Sequence, residues 1–340
     1  MPIQAPRPEP LDLPPRGAAR ESWLDAARGI GILLVVLGHA LRGLEDSPVA
    51  LDPGLFATLD AAIYLFHMPL FFVLAGITFP RSAQRRPATA FLRTRLTRLL
   101  LPMLLWTYVF LAFRALAGSA ANHPAGLEDL LRWPLPPYQH LWFLWALFLI
   151  QMAAFAGFAG SRRLGWILLA VLSVAGPAAL ALYLVPHAVI KSVEPALSHL
   201  PFFAVGALIG VPLLVGRWRP WLGWAGLAAF GASLALADLS PAPGDRPAFL
   251  LSLAAAVGLI AMVRGSALGR TRWAVTLGRN SLFIYLAHTL FSSATRIALL
   301  AVGIEDVALH VTLGVAAGVA GPLLAAPLLR RTRIGAALGA

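Results

Sequence analysis

Apolar runs of about twenty residues recur from one end of this chain to the other, separated by short arginine-bearing segments. As a helix, a run of that length covers about 30 Å, the thickness of a bilayer's hydrocarbon core. Lipid offers the backbone no hydrogen-bond partner, so spanning segments are helices or closed barrels. Barrel strands alternate in polarity, whereas these runs are continuously apolar. The expected fold class is therefore all-α, a polytopic integral membrane protein. Ten spans are read: roughly 23–44, 56–79, 93–117, 138–158, 164–184, 198–215, 219–237, 247–264, 280–302 and 307–329. The chain is 12% charged, about half the share of a soluble domain. It has no cysteine, which excludes disulfides, a thiol nucleophile and Cys-ligated metals.

The loops orient these spans. With the N-terminus in the cytoplasm, 21 of the 27 cations fall on inner segments, among them Arg28, the 81–98 cluster, Arg279 and Arg330. The outer half keeps Arg42, Arg114, Arg132, Lys191, Arg246 and Arg296, and most of the acidic residues. This is the positive-inside pattern of membrane loops. It also accounts for the formal charge of +12 without nucleic acid, whose binding would need the cations gathered on one face. Both termini are expected in the cytoplasm. Residues 1–20 form a Pro-rich disordered tail with no cleavable signal, 21–330 a ten-helix membrane domain, and 331–340 a second cytoplasmic tail. The segment Trp133–Tyr138 is expected to order a cap at the outer interface through its prolines and aromatics.

Ionisable groups within the spans single out the chemistry, because an ionisable residue at that depth is costly and usually functional. Between Arg28 and His39 every residue is apolar or glycine. Eleven helical steps bring these two side chains to one face, about 16 Å apart. Asp25 precedes Arg28 by three residues, within pairing distance on the same face. In span two, Asp60, Tyr64 and His67 share a face, and Pro69 leaves the Leu65 carbonyl without its helical donor. That kink beside a mid-membrane histidine points to a polar cavity. Span nine aligns Ser281, Tyr285 and His288 behind Asn280, a candidate cap. Span four opens with His140 and Trp142, placed to close the outer mouth of a site. His187, His199 and His310 read as structural, and Trp145 as a residue of the interfacial belt. The histidines lack zinc spacing, so no metal is expected; a P-loop and a nucleophile elbow are also absent.

A neutral imidazole can take a proton from a sugar hydroxyl as that oxygen attacks an acyl carbonyl, or can accept the acyl group itself. Acyl transfer therefore fits. A donor that is an acyl-CoA thioester would be a cytoplasmic polyanion, for which Arg28, Arg93, Arg95 and Arg98 offer guanidinium groups.

Taken together, Arg28-x10-His39, Phe66-His67-Met-Pro69-Leu-Phe-Phe-Val-Leu-Ala-Gly76, His140-Leu-Trp142-Phe-Leu and Asn280-Ser281-Leu-Phe-Ile-Tyr285-Leu-Ala-His288 resemble the membrane acyltransferase family 3. The resemblance runs from about residue 20 to 330, with the segments in the family's order. It implies a ten-span enzyme of the bacterial inner membrane that acylates, most often acetylates, surface glycans, so that acetyl-CoA is the expected donor, with Arg28 and His39 tied to activity. The Phe-His-Met-Pro form of span two resembles the branch acting on sugars such as fucose. Some members add a soluble extracytoplasmic domain; here the saccharide acceptor is expected to dock on the membrane domain itself, as a lipid-linked saccharide. A homo-oligomer is compatible with this reading. The rival expectation is a secondary transporter or exporter of a glycan or small solute. That class also places ionisable groups near the midplane but commonly shows repeat symmetry, of which this chain carries no trace. A third is a non-catalytic partner of a polysaccharide synthase, which would bind no acyl-CoA.

Overall fold

The computed structural model describes residues 21–49, 51–85, 87–120, 126, 128–129, 135, 137, 139–215, 218–237, 249–332 and 334–340. The tail 1–20, Arg86, His123, most of the 118–137 segment with its Trp133–Tyr138 cap, Arg217, Asp238, Asp245, Arg246 and Arg333 lie outside these residues.

The protein is an all-α polytopic membrane protein, with no strand among the described residues. Each expected span has a helical counterpart. Eight of these segments are long and apolar enough to cross a membrane. The other two, α9 (Trp221–Leu236) and α10 (Phe249–Gly265), are shorter and pack on each other. The first segment, α1 (Ser22–Glu45), is the hub. It touches α2 (Pro53–Tyr64), α3 (His67–Arg85), α10, α11 (Arg272–Arg279), α12 (Ser281–Ala301) and α13 (Val307–Arg330).

Span two is broken, as its proline predicts. The helix stops at Tyr64 and restarts at His67, so Pro69 sits in the first turn of α3, where a missing N–H costs nothing. Span three is also irregular. Between α4 (Ala88–Arg95) and α5 (Leu101–Ala117) lies one π-helical turn, Leu96–Leu100. There the Leu101 N–H reaches back five residues to the Leu96 carbonyl, a widening that often marks functional sites. Span four enters α6 (Trp142–Gly160) through a 3₁₀ turn, Gln139–Leu141, in which Gln139 has a φ of 43°. After α7 (Arg162–Ala181), span six begins about eleven residues earlier than expected. Its helix α8 runs His187–Val215, with Lys191, Glu194 and Pro195 inside it.

Helices in lipid gain little from apolar contact alone and associate closely where small residues let backbones meet. The tightest such crossing joins α1 to α11. A Cβ on Gly278 would run into the Asp25 backbone, and one on Gly29 into the Ala274 carbonyl. This crossing fixes the Arg28 end of α1. Beyond α13, residues 334–340 turn back onto the bundle. The Trp106 indole of α5 donates to the Leu338 carbonyl at 3.1 Å, and Leu338 and Ala340 pack against the core.

Candidate active site

Arg28 lies nearly two turns inside α1, with its side chain one-quarter exposed and bonded to the fully buried Asp25 at 3.2 Å. The i, i+3 pair expected from sequence is therefore formed. Asp25 also takes Arg279 of α11, at 3.5 Å, a partner that helical spacing could not reveal. The carboxylate thus ties Arg28 to the glycine crossing of α1 and α11.

From Arg28 a cavity of about 240 Å³ runs between α1, α3, α6 and α12. Arg28 and Arg95 supply its cations, and Met68, Phe71, Phe143, Leu144 and Leu147 its apolar walls. Ser281, Tyr285 and Gln151 add polar groups. The Gln151 side-chain carbonyl is buried without a partner among the described residues. Arg95 donates to Ser82 at 2.8 Å and lies 4.5 Å above the Phe91 ring. Arg93 and Arg98 face away: both are exposed and neither lines the cavity. The 81–98 cluster therefore contributes Arg95 to this chamber. The helical phase of α4 and the π turn separates it from the other two.

The cavity ends at Val35 and Tyr285, one turn of α1 short of His39. Beyond that point three imidazoles meet. The His39 ring is 5.5 Å from His140 and 5.2 Å from His288, and these two are 5.2 Å apart. His288 is fully buried, and its Nδ1 lies within hydrogen-bond distance of the Ile284 and Tyr285 carbonyls. Carbonyls only accept, so Nδ1 carries the proton and Nε2 keeps a lone pair. That Nε2 has no partner among the described residues, and neither has Nε2 of His140. The Tyr285 hydroxyl donates to the His140 carbonyl, and their rings lie 5.3 Å apart. Tyr285 and His140 together form the wall that ends the Arg28 chamber.

On the far side of that wall His39 opens into a second cavity, of about 200 Å³. Arg42, Arg114, Arg296, Asp46, Gln139, His140, Thr289 and Ser293 also line it. A smaller pocket of about 50 Å³ adjoins it, shared by His39, Arg296 and His310. His39 is thus half-buried, held between rings and turned toward space inside the protein.

The remaining expected residues fall into separate groups. Arg42 forms a two-pronged ion pair with Asp60, at 2.7 and 2.8 Å, and lies over the Tyr64 ring. Tyr64 in turn meets the His67 ring edge-on at 4.3 Å. The Asp60–Tyr64–His67 face is therefore real, but its organising cation comes from α1. His67 gives its Nδ1 proton to the Ile63 carbonyl at 2.8 Å, bridging the break between α2 and α3. Trp142 stacks on Phe72 and lies beside His199. It does not line the cavity that His140 enters. Asn280 occupies the cap position of α12, but its side chain makes no cap bond. Instead it donates to the Thr276 carbonyl and accepts from Arg330. Trp145 donates to the Ser192 carbonyl of α8 at 2.8 Å. Gln151, Arg42 and Arg296 were not singled out from sequence as site residues. Only their depth in otherwise apolar spans marks them.

The chain that folds into this arrangement, an imidazole cluster standing between two chambers within a helical membrane bundle, is similar in sequence to known proteins. A protein-family model described as an acyltransferase domain matches residues 21–327, and the chain belongs to that family. Among curated proteins it is similar to the nodulation protein NolL of Sinorhizobium fredii, 33% identical over 195 residues, which is 56% of this chain and 48% of that protein. It is also similar to NolL of Mesorhizobium japonicum, 29% identical over 196 residues, or 57% of this chain and 49% of that one. The chain thus spans about half the length of the curated relatives it matches. No solved structure matches it.

Proposed function

We propose that the protein is a bacterial inner-membrane O-acyltransferase. It moves an acyl group, most simply acetyl, from cytoplasmic acyl-CoA to a hydroxyl of a cell-surface or lipid-linked saccharide. One observation carries this reading: the His39–His140–His288 cluster separates a chamber that begins at Arg28 and Arg95 from one that begins at Arg42, Arg114 and Arg296. Membership of the acyltransferase family supports the reaction class.

In this reading the phosphates of the donor meet Arg28 and Arg95, as guanidinium groups pair well with phosphate oxygens. The pantetheine arm lies along Phe71, Phe143 and Leu147, with Ser281 and Gln151 hydrogen-bonding its amides. Asp25 holds Arg28 at the chamber mouth. Tyr285 gates the wall, and its ring must turn for the thioester to reach His39. The acceptor enters from the opposite chamber. His39 takes the hydroxyl proton as the oxygen forms a bond to the thioester carbonyl carbon. The carbon–sulfur bond then breaks, and the proton passes to the departing CoA thiolate. A transient acyl-imidazole on His39 would use the same geometry. His140 and His288 pack the His39 ring in place, and the Arg42–Asp60–Tyr64–His67 chain supports the neighbouring wall.

The test is transfer of labelled acetyl from acetyl-CoA to glycan in membranes carrying the wild type or His39→Ala. Loss of label in the variant is expected, and full retention would remove the proposed base. Mass spectrometry of surface glycans from cells with and without the gene identifies the acceptor.

A further inference from the structure

Of the three arginines of the second chamber, the mechanism above gives a task to Arg42 and none to Arg114 or Arg296. Arg296 sits about three-quarters of the way along α12, half-buried, where a charge is costly unless paired. Its Nη1 donates to the Gly43 carbonyl at 2.8 Å. Its Nε is buried with no acceptor, and it makes no ion pair with any described residue. It lines both pockets that His39 lines. Beside it in both is Thr289, whose hydroxyl is likewise buried without a partner. Of the other charges there, Arg42 is occupied by Asp60, Arg114 stands in the last turn of α5, and Asp46, just past α1, attracts Arg296 through space without an ion-pair contact. Holding α1 to α12 uses a single donor of this guanidinium. Arg296 and Thr289 both line the space in which the acceptor would react.

We infer that the acceptor carries an anionic group, a phosphate or carboxylate, and that Arg296 with Thr289 receives it. This rests on the reading that the acceptor enters from the Arg42 end. Gly43 follows His39 by one turn of α1, a separation of about 6 Å along the axis. That is close to the width of one sugar ring, so the anion belongs to the sugar being acylated or to its own glycosidic linkage. A sugar on a polyprenyl phosphate or pyrophosphate would satisfy this, and so would a uronic acid.

Two measurements on the purified full-length protein test the inference. In the first, the chain is saturated with coenzyme A to occupy the donor end, and inorganic pyrophosphate is titrated while thermal unfolding is followed at low ionic strength. Pyrophosphate should stabilise the wild type, with binding weakened about tenfold in Arg296→Gln and less in Arg296→Lys, which keeps the charge but loses the fork. In the second, acetyl transfer is compared for one sugar presented as a neutral octyl glycoside, as its uronic acid and as a prenyl-pyrophosphate conjugate. An anionic form should be preferred by about tenfold in kcat/KM, the preference should collapse in Arg296→Gln, and the better of the two anionic forms identifies the source of the charge. Equal use of the neutral glycoside by the wild type, or a preference that survives Arg296→Gln, overturns the inference and leaves the acyltransferase reading standing. Arg296-dependent pyrophosphate binding with no transfer to any acceptor does the reverse. If Arg296→Gln fails to fold, Arg296→Lys and Thr289→Val carry the same comparison.

Discussion

The two chambers on either side of the Tyr285–His140 wall are built from different material. The one at the Arg28 end is a slot with mostly apolar walls from α3 and α6, and its cations, Arg28 and Arg95, come from α1 and α4. The one at the Arg42 end carries three arginines, an aspartate, two histidines and hydroxyl groups of α12, set among Phe110, Phe113, Leu290 and Ile297. A slot with guanidinium groups at one end suits a long thin arm ending in phosphates. A bowl with charged and hydroxyl groups set among aromatic rings suits a hydroxyl-rich saccharide. Helices α1 and α12 line both, so one rigid pair of helices presents different chemistry to each end. The division of labour comes from where the charges stand along those helices.

The largest effect that would break this contrast is at the shared wall. Replacing His39 by Ala should lower kcat by about 100-fold or more, the usual contribution of a positioned general base, while leaving acetyl-CoA binding, read by calorimetry, nearly unchanged. Next comes the asymmetry between the ends. Arg28→Gln should raise KM for acetyl-CoA about tenfold, the scale of one charge-assisted phosphate contact, with KM for the acceptor unaffected. Steady-state kinetics with each substrate varied in turn would expose a shared effect, and that would erase the distinction between the chambers. A smaller effect is expected at the α1–α11 crossing. Gly278→Ala places a methyl group against the Asp25 backbone and should cost about 1–3 kcal/mol, as overpacking does. It should be seen as a lower unfolding temperature, together with a raised KM for the donor because Asp25 orients Arg28. The smallest is Asn280→Ala. It removes the bond to Arg330 at a half-buried position and should cost about 1 kcal/mol or less in unfolding, with little change in turnover.

Much of this could be read from the chain itself, for a physical reason. Lipid forces each apolar run to be a helix, so the spans and the shared faces along one helix followed from periodicity. That is how Asp25–Arg28, Tyr64–His67 and the Ser281–Tyr285 wall were anticipated. The misses share a different cause. Lys191, Glu194 and Pro195 looked like a loop but lie inside α8, because a helix protruding past the hydrocarbon tolerates charge. Asn280 has the composition of a cap, yet its amide found Thr276 and Arg330 instead. The pairing of Arg42 with Asp60, of Arg279 with Asp25, and the turn of Trp142 toward Phe72 and His199 depend on how separate helices are rotated against one another. No single-helix pattern encodes that. The meeting of His39, His140 and His288 from three different spans belongs to the same class. His39 and His288 were visible alone within their spans and His140 at the outer end of its span, and only packing made them a cluster.

The most direct test of the whole account is sidedness in sealed membrane vesicles. Labelled acetyl-CoA is supplied only to the face bearing Arg28 and Arg95, and the saccharide acceptor is confined to the other. The account predicts acetylated saccharide on the acceptor side with the wild type and none with His39→Ala. Product that forms only when donor and acceptor share a face, or that forms equally without His39, would contradict it.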